Sequence, residues 1–360
     1  MTRLARPGGT PHDRVPGAVQ GCTANGRFQP PKTASSGRST QCRNSDVQPV
    51  MFADMTPERT TESASFDGVF VPVVTPFLDD AELDLESLDV LCRKVLDEGA
   101  AGLVPLGTTG EAPALTADEA LAVVGVAAQA CREFDRSLII GTGTNNTAST
   151  CARGELFSDF DQLIAYLVVA PYYVRPSEDG ILAHYRRVAE ASSVPILAYN
   201  VPYRTGRELS AQALIRLSEI PGVVGIKQAV GTLDAATLQL LAKAPREFSV
   251  LAGDDAVAFA LTLMGGRGAI AASAHVMTGT WVDMIDCGLA NDIEGGRPLA
   301  ETLLDVVEAL FAEPNPAVIK GVLAAQGVIA SGRVREPMTP GSSVAVQRAL
   351  SAIDAATASS

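Results

Sequence analysis

Short apolar runs alternate with longer stretches of helical period from Phe66 onward, and this alternation constrains the fold more than any other feature. The runs are rich in β-branched residues, which is typical of buried parallel strands, and the stretches between them resemble amphipathic helices. The runs are 69–74, 102–106, 138–141, 163–170, 195–199, 223–227, 248–252 and 268–271. Eight βα units favour an α/β fold that closes into a (β/α)8 TIM barrel.

An open, doubly wound sheet is the structural alternative to the barrel. That fold usually carries a glycine fingerprint after its first strand, whereas the first run here continues into Thr75-Pro76-Phe77. Beyond the eighth run the sequence keeps a helical period, notably over 299–311 and 316–325. We therefore predict a barrel over 66–290 and a C-terminal helical bundle over 291–360. Lys320 lies in this extension, where we expect its stem to cover the core while its ammonium reaches solvent.

Residues 1–65 differ in composition from the rest of the chain. Gly, Pro, Ser, Thr and Arg dominate them, and no apolar period persists, so this segment is predicted to be a disordered tail. A second interpretation is a start codon assigned too far upstream, with Met51 or Met55 as the true first residue. A transit peptide is a third possibility, because Lys and Arg greatly outnumber acidic residues before Ser45.

Charge and cysteine usage exclude several classes of protein. The net charge is −13 and the pI is near 4.7, so no basic field exists to attract nucleic acid or an anionic membrane surface. No apolar run reaches the roughly 20 residues that a membrane span requires. The six cysteines form no CxxC pair and are widely spaced, which disfavours a zinc site or a disulfide framework. We expect a cytoplasmic protein.

Lys227 is the most informative single residue. It ends the apolar run Val223-Val224-Gly225-Ile226, where a charged amine loses solvation. Burial lowers the pKa of a lysine and makes a neutral, nucleophilic amine available to a carbonyl carbon. Lys227 is therefore a candidate Schiff-base lysine, although a lysine at a strand end can also extend into solvent.

Polar residues follow several other predicted strands, and in a βα barrel these positions meet at one rim. They are Thr108 and Thr109 after the second run, Tyr173 after the fourth, and Tyr199 and Arg204 at the fifth. Hydroxyls among glycines can bind a carboxylate, a phenol can move protons, and an arginine can bind a second carboxylate. Each residue alone could be structural, but their joint placement favours a site for a keto acid.

Several motifs together are similar to one known family. They are Thr75-Pro76-Phe77, Gly107-Thr108-Thr109-Gly110-Glu111, Pro171-Tyr172-Tyr173, Tyr199-Asn200-Val201-Pro202-Tyr203-Arg204-Thr205-Gly206, Gly225-Ile226-Lys227, Gly253-Asp254-Asp255 and Glu313-Pro314-Asn315-Pro316. Over about 66–355 the chain resembles the dihydrodipicolinate synthases, within the pyruvate-dependent class I aldolase superfamily that also contains N-acetylneuraminate lyase.

The resemblance implies that Lys227 forms a Schiff base with pyruvate and that the enamine adds to aspartate 4-semialdehyde. The product would be 4-hydroxy-tetrahydrodipicolinate, for lysine and diaminopimelate biosynthesis. Tyr199, Thr108 and Tyr173 would form a proton relay, with Tyr173 supplied by a neighbouring subunit of a homotetramer, or at least of a dimer.

The resemblance also implies the binding residues. Thr108 and Thr109 would hold the pyruvate carboxylate, Arg204 would hold the carboxylate of the semialdehyde, and the carbonyl of Ile270 would lie near the lysine. No metal or dissociable cofactor is implied.

Three departures from the family pattern keep alternatives open. Gln228 replaces an acidic residue and His275 replaces an asparagine, which could favour a related aldolase or dehydratase acting on a sugar-derived keto acid. For His275 itself, a role in the core is favoured over one in catalysis. The segment 151–166 lacks the usual long third helix, so that βα unit could be shortened, and a non-enzymatic homologue is a further alternative.

Feedback inhibition by lysine is predicted to be weak or absent. Lysine-sensitive members of the family place His and Glu residues around the effector, whereas this chain has Ala117, Ala120 and Ser149 at the matching positions. Asn145 and Tyr172 remain, but the ammonium of the effector would lose its acidic partner.

Overall fold

Eight parallel strands close into a barrel in sequence order in this computed structural model, which describes residues 66–359. The strands β1 to β8 are Gly68–Val71, Gly102–Leu103, Ser137–Gly141, Leu163–Val169, Ile196–Asn200, Val223–Gln228, Ser249–Ala252 and Gly268–Ile270. Closure comes from β8 pairing in parallel with β1, with Phe70 opposite Ile270. The predicted (β/α)8 TIM barrel is confirmed, and the predicted tail over 1–65 lies outside the described residues.

Helices separate the strands and continue beyond the eighth one. Helices α1 to α12 are Leu85–Asp97, Ala117–Glu133, Thr147–Glu155, Glu178–Ala191, Pro202–Thr205, Ala211–Ser218, Ala235–Lys243, Ala258–Leu263, Thr278–Leu289, Ile293–Leu310, Ala317–Ala325 and Ser343–Ser359. The Thr116 side chain caps α2 in a capping box with Glu119, which satisfies two backbone amides at the start of the helix. Among the described residues, no helix has both the length and the apolar character needed to cross a bilayer.

Two strands are shorter than their sequence predicts. The apolar runs extend to Val74 and Leu106, but β1 ends at Val71 and β2 at Leu103. Pro72 follows the first strand and Pro105 lies shortly after the second, and proline has no amide hydrogen for the ladder. The released backbone is free to form the loops at the carboxyl rim of the barrel.

The third βα unit is short, as expected. Helix α3 has 9 residues, against 17 in α2 and 14 in α4. The following strand β4 nevertheless keeps 7 residues and pairs with both neighbours. The shortening is therefore confined to the outer layer and leaves the barrel wall intact.

Strand alternation divides the core into two layers. Phe70, Leu197 and Leu251 belong to the cluster that fills the barrel, whereas Val69 and Ile226 belong to the cluster between strands and helices. Successive residues of a strand point to opposite faces. Because Ile226 faces the helices, the next residue of β6, the candidate lysine, faces the barrel interior.

The C-terminal helices pack against the barrel and one another, α10 against α9 and α12. Helix α9 ends at Leu289 and α10 begins at Ile293, earlier than the predicted 299. The division into a barrel over 66–290 and a bundle over 291–360 stays a prediction.

The prediction for Lys320 was wrong. This residue on α11 is 0% exposed, and its ammonium pairs with Glu111 at 2.8 Å instead of reaching solvent. The whole Lys320 side chain is enclosed. Its neighbours Val318, Ile319, Val322 and Leu323 on the same helix are buried as well.

Candidate active site

Lys227 lies inside the barrel near the carboxyl end of β6. The strand register places it opposite Tyr199 on β5, and its Nζ lies 4.8 Å from the centroid of the Tyr199 ring. Gly253 lies close by, after β7: a Cβ atom there would be 2.8 Å from Lys227 Cγ and 2.9 Å from Cε. A glycine at this position therefore makes room for the lysine side chain.

Burial controls the chemistry of Lys227, which is only 7% exposed. Desolvation lowers the pKa of its ammonium to about 8, while Asp255 and Asp254 oppose that shift and Arg204 adds to it. An amine with this pKa is neutral far more often near pH 7 than an ordinary lysine is. These properties favour Lys227 as the candidate nucleophile.

Two aspartates that follow β7 shape the field at the lysine. Asp255 is buried and accepts hydrogen bonds from the Ser273 amide at 2.7 Å and the Ser273 hydroxyl at 2.6 Å. Asp254 accepts from the Gly231 amide. Burial raises the pKa of both carboxyls. The sequence analysis assigned neither aspartate a role, although their position after a barrel strand was a usable signal.

Tyr199 is a buried phenol beside the lysine. Desolvation by burial is the main cause that raises its pKa, Tyr203 raises it further, and Arg204 and the nearby Thr108 side chain lower it. The phenol therefore keeps its proton at neutral pH. A protonated phenol next to an amine can donate to an oxygen that develops negative charge.

Thr108 and Thr109 lie in the segment Gly107–Glu111, which we call the threonine loop. Thr109 is 3% exposed and its Oγ1 accepts a hydrogen bond of 2.9 Å from the Asn315 side chain. Asn315 is another residue that the sequence analysis left without a role. It precedes α11, so the C-terminal extension contributes directly to the site.

Arg204 lies on the single turn α5, after β5. Its Nε donates to the Tyr203 hydroxyl at 2.9 Å, and its guanidinium lies 4.9 Å from the Tyr203 ring centroid. The residue is exposed, so it can meet an anion that arrives from solvent.

Two cavities that share part of their lining converge on these groups. The lysine cavity, of about 310 Å³, is lined by Lys227, Thr109 and both aspartates, among others. The apolar cavity, of about 430 Å³, is lined largely by aliphatic and proline side chains. Residues that line both are Gly107, Thr108, Leu167, Tyr199, Arg204 and Asn315. Volumes of this size suit small molecules.

Tyr173 is not brought to Lys227 within this chain. It is 87% exposed, lines neither cavity, and has a φ of 69°, a left-handed conformation that is unusual for a bulky residue. Ile270 is fully buried at the end of β8, inside the barrel.

Gln228 and His275 are close to the site in the chain or in the barrel but are not among the residues that line either cavity. Gln228 points to the opposite face of β6 from Lys227 and bonds to Asn200 and Thr237. His275 accepts from the Val74 amide through Nε2 and donates to the Ala272 carbonyl through Nδ1. Burial lowers its pKa to about 4, and the core role favoured for it is confirmed.

Metal ligands do not cluster in the part of the chain that the structure describes. Within it, no group of three or more His, Cys, Asp or Glu side chains is placed to hold an ion.

Comparisons with known proteins agree on one family. The model of the dihydrodipicolinate synthetase family matches residues 65–356. A 4-hydroxy-tetrahydrodipicolinate synthase 2 of Clostridium acetobutylicum is 37% identical over 274 residues, covering 76% of this chain and 94% of that protein.

Solved structures give the same result. A dihydrodipicolinate synthase of Acinetobacter baumannii in complex with pyruvate has a TM-score of 0.78 and 32% identity, covering 81% of this chain and 99% of its own. A structure described as the first monomeric dihydrodipicolinate synthase variant has a TM-score of 0.77 and 31% identity, with 81% and 97% covered.

Proposed function

The chain belongs to the dihydrodipicolinate synthetase family, and we propose that it condenses pyruvate with aspartate 4-semialdehyde. The product is 4-hydroxy-tetrahydrodipicolinate, an intermediate for lysine and diaminopimelate biosynthesis, and the enzyme is a lyase of the class I aldolase type. One observation carries the proposal: a buried lysine with a pKa lowered to about 8 lies beside a protonated phenol in a cavity of suitable size.

The first steps form the Schiff base. The neutral Lys227 amine adds to C2 of pyruvate, the carbonyl oxygen takes up a proton, and the resulting carbinolamine loses that oxygen as water. Tyr199, which lies beside the Thr108 side chain, supplies and recovers the protons of these steps. Loss of a proton from the methyl carbon then gives the enamine.

The later steps build the ring and free the enzyme. The enamine carbon attacks the aldehyde carbon of the semialdehyde, and the aldehyde oxygen is protonated to the product hydroxyl. The amino group of the semialdehyde then adds to C2 and displaces the Lys227 amine, which closes the ring. One water is released for each pair of substrates, and no electrons enter or leave, so the chemistry requires no redox cofactor.

Four residues are proposed to orient the substrates. Thr108 and Thr109 bind the pyruvate carboxylate, and Arg204 binds the carboxylate of the semialdehyde, where its planar guanidinium offers paired donors. The backbone carbonyl of Ile270, at the end of β8, is proposed to lie near the lysine and to accept a hydrogen bond during carbinolamine formation.

Tyr173 is proposed to complete the proton relay in a second copy of the chain, so that the active form is at least a dimer and commonly a homotetramer. Its exposure of 87% and its left-handed backbone fit a side chain held outward for a partner.

Mixing Lys227→Ala with Tyr173→Phe tests this arrangement, because each variant alone is expected to be nearly inactive. In mixed dimers one site regains both residues, so about a quarter of wild-type activity should return. A mixture that contains hetero-oligomers by native mass measurement and stays inactive would show that Tyr173 does not act across the interface.

The alternatives from sequence receive no support from the site. The sugar-acid aldolase or dehydratase was motivated by Gln228 and His275, which face away from both cavities. The non-enzymatic homologue was motivated by the short third unit, which leaves β4 intact. A cytoplasmic location belongs to the proposal, supported by the free thiols of Cys92, Cys131, Cys151 and Cys287.

Borohydride trapping with pyruvate, followed by intact mass, tests the function first. We expect a pyruvyl adduct in the wild type and none in Lys227→Ala, with turnover of aspartate 4-semialdehyde by the wild type. An adduct without such turnover would point to another aldehyde or keto acid, and a folded wild type without an adduct would refute the proposal.

A further inference from the structure

A second lysine is buried more completely than the catalytic candidate. Lys320 donates to Glu111 Oε1 at 2.8 Å and to the Thr75 carbonyl at 2.8 Å, and its Nζ lies 4.2 Å from the Phe77 ring centroid. Desolvation of two charges costs several kcal/mol per ion, and apolar replacements of such pairs are often as stable. A gain in folding stability therefore does not explain why the chain has this buried ion pair, and the pair is expected to have another role.

Glu111 ends the threonine loop, and the backbone around that loop is strained. Leu106, directly before the loop, has a φ of 59°, and Glu111 has a φ of 51°. Residues other than glycine are strained in this left-handed region unless the surrounding structure holds them there. The loop needs contacts that hold it in this shape.

Contacts of this kind reach three successive residues of the loop. The Thr109 hydroxyl accepts from Asn315 at 2.9 Å, and the Gly110 carbonyl accepts from the Thr75 hydroxyl at 2.7 Å. The carboxylate of Glu111 accepts from Lys320 with one oxygen and from the Arg335 amide, at 2.9 Å, with the other.

Arg335, whose amide contacts Glu111, is itself held by several contacts. The Arg335 guanidinium pairs with Glu119 on α2 at 2.6 Å and donates to the carbonyls of Ala81 and Ala114. Lys320 lies on α11, most of whose residues are buried. Glu111 is thus held by two parts of the chain that are far from it in sequence.

We propose that Glu111 and Lys320 are positioning residues that hold the threonine loop so that Thr108 and Thr109 face the carboxylate of the keto acid. Neither residue touches the reacting atoms; they act through the two threonines. The inference rests on the proposed function, because it requires a carboxylate substrate at Thr108 and Thr109.

The test uses Lys320→Met, Glu111→Gln and the double variant in the full chain. Lys94→Met/Glu98→Gln is the matched control, since this surface pair has the same 2.8 Å separation. Each protein is trapped with borohydride over a range of concentrations of pyruvate or of methyl pyruvate, which lacks the carboxylate charge, and its thermal unfolding is recorded.

We expect the half-saturating concentration of pyruvate to rise roughly ten-fold in the double variant, as expected for loss of a hydrogen bond to a charged group. The value for methyl pyruvate and the KM for the semialdehyde should change little, and the control pair should match the wild type. A purely structural role would change the half-saturating concentrations of pyruvate and of methyl pyruvate to the same extent.

Three outcomes would overturn the inference. One is an unchanged preference for pyruvate over its ester in folded variants, and another is unfolding of all three variants at 25 °C, which would assign the pair to stability. The third is a wild type that traps no pyruvate, which refutes the proposed function itself and is visible before any variant is compared.

Discussion

Burial lowers the pKa of both buried lysines, but their surroundings differ. Desolvation lowers the pKa of Lys227 to about 8, and it also lowers the pKa of Lys320. Lys320 donates directly to Glu111 at 2.8 Å and lines neither of the two cavities. Lys227 lies in the wall of the lysine cavity, and among the described residues it forms no ion pair within 4.0 Å. Burial alone thus does not make a nucleophile; access and the lack of a direct counterion are also required.

Replacing each of the two lysines should give the largest difference, because one replacement should affect activity and the other should affect stability. Lys227→Ala should abolish adduct formation and turnover without loss of stability, because it removes a desolvated amine. Lys320→Met leaves the Glu111 charge buried and should lower the free energy of unfolding by about 3–5 kcal/mol, with substantial recovery in the double variant with Glu111→Gln. Urea unfolding measures stability and turnover measures activity, and equal destabilisation by Lys227→Ala and Lys320→Met would contradict this difference between the lysines.

Filling the space beside Gly253 should have the next largest effect. In Gly253→Ala the new Cβ would lie 2.8 Å from Lys227 Cγ and force the amine to move. We expect about a hundred-fold lower kcat, because small displacements of a reacting group are costly. Gly125→Ala on α2 is the control, since no atom lies within 4 Å of its new Cβ; similar losses in both variants would contradict this explanation.

The pH profile offers a smaller, more specific test. Only the neutral amine attacks pyruvate, so kcat/KM for pyruvate should rise with pH and level off above a pKa of about 8. Asp254 stabilises the ammonium, so Asp254→Asn should move the midpoint to lower pH. Lys94→Met should leave the midpoint unchanged, and an unchanged midpoint in Asp254→Asn would show that the Asp254 charge does not act on Lys227.

Free lysine should have the smallest effect. An ammonium in a protein needs a partner of the kind that Glu111 provides to Lys320, and Ala117, Ala120 and Ser149 offer no carboxylate. Turnover should therefore be nearly unchanged in the presence of lysine at sub-millimolar concentration. Strong inhibition there would mean that another acidic group binds the effector.

Much of the fold and part of the site could be predicted because their signals are local. Each β-branched run between helical stretches marks a strand, and eight such strands leave few topologies. Lys227 and Tyr199 then fall at one rim by strand direction alone. Successive residues of a strand point to opposite faces, so an inward Lys227 implies an outward Gln228. This signal was present in the sequence, but the expectation for Gln228 did not use it.

Contacts between distant segments could not be predicted in the same way. Glu111 and Lys320 are 209 positions apart, and Thr109 and Asn315 are 206 apart. A helical period shows only that one face of α11 is buried, and it does not show which loop meets that face. The expectation that Lys320 reaches solvent failed for this reason.

Hydrophobic period and strand order predict the barrel, the rim that carries the candidate site and the lysine at the end of β6, because both patterns act over short distances. The closed fold adds which polar groups share a cavity, how far the pKa of Lys227 falls, and that a second lysine contacts the threonine loop. Those properties depend on desolvation and on distances of about 3 Å between remote segments, which exist only once the chain has closed.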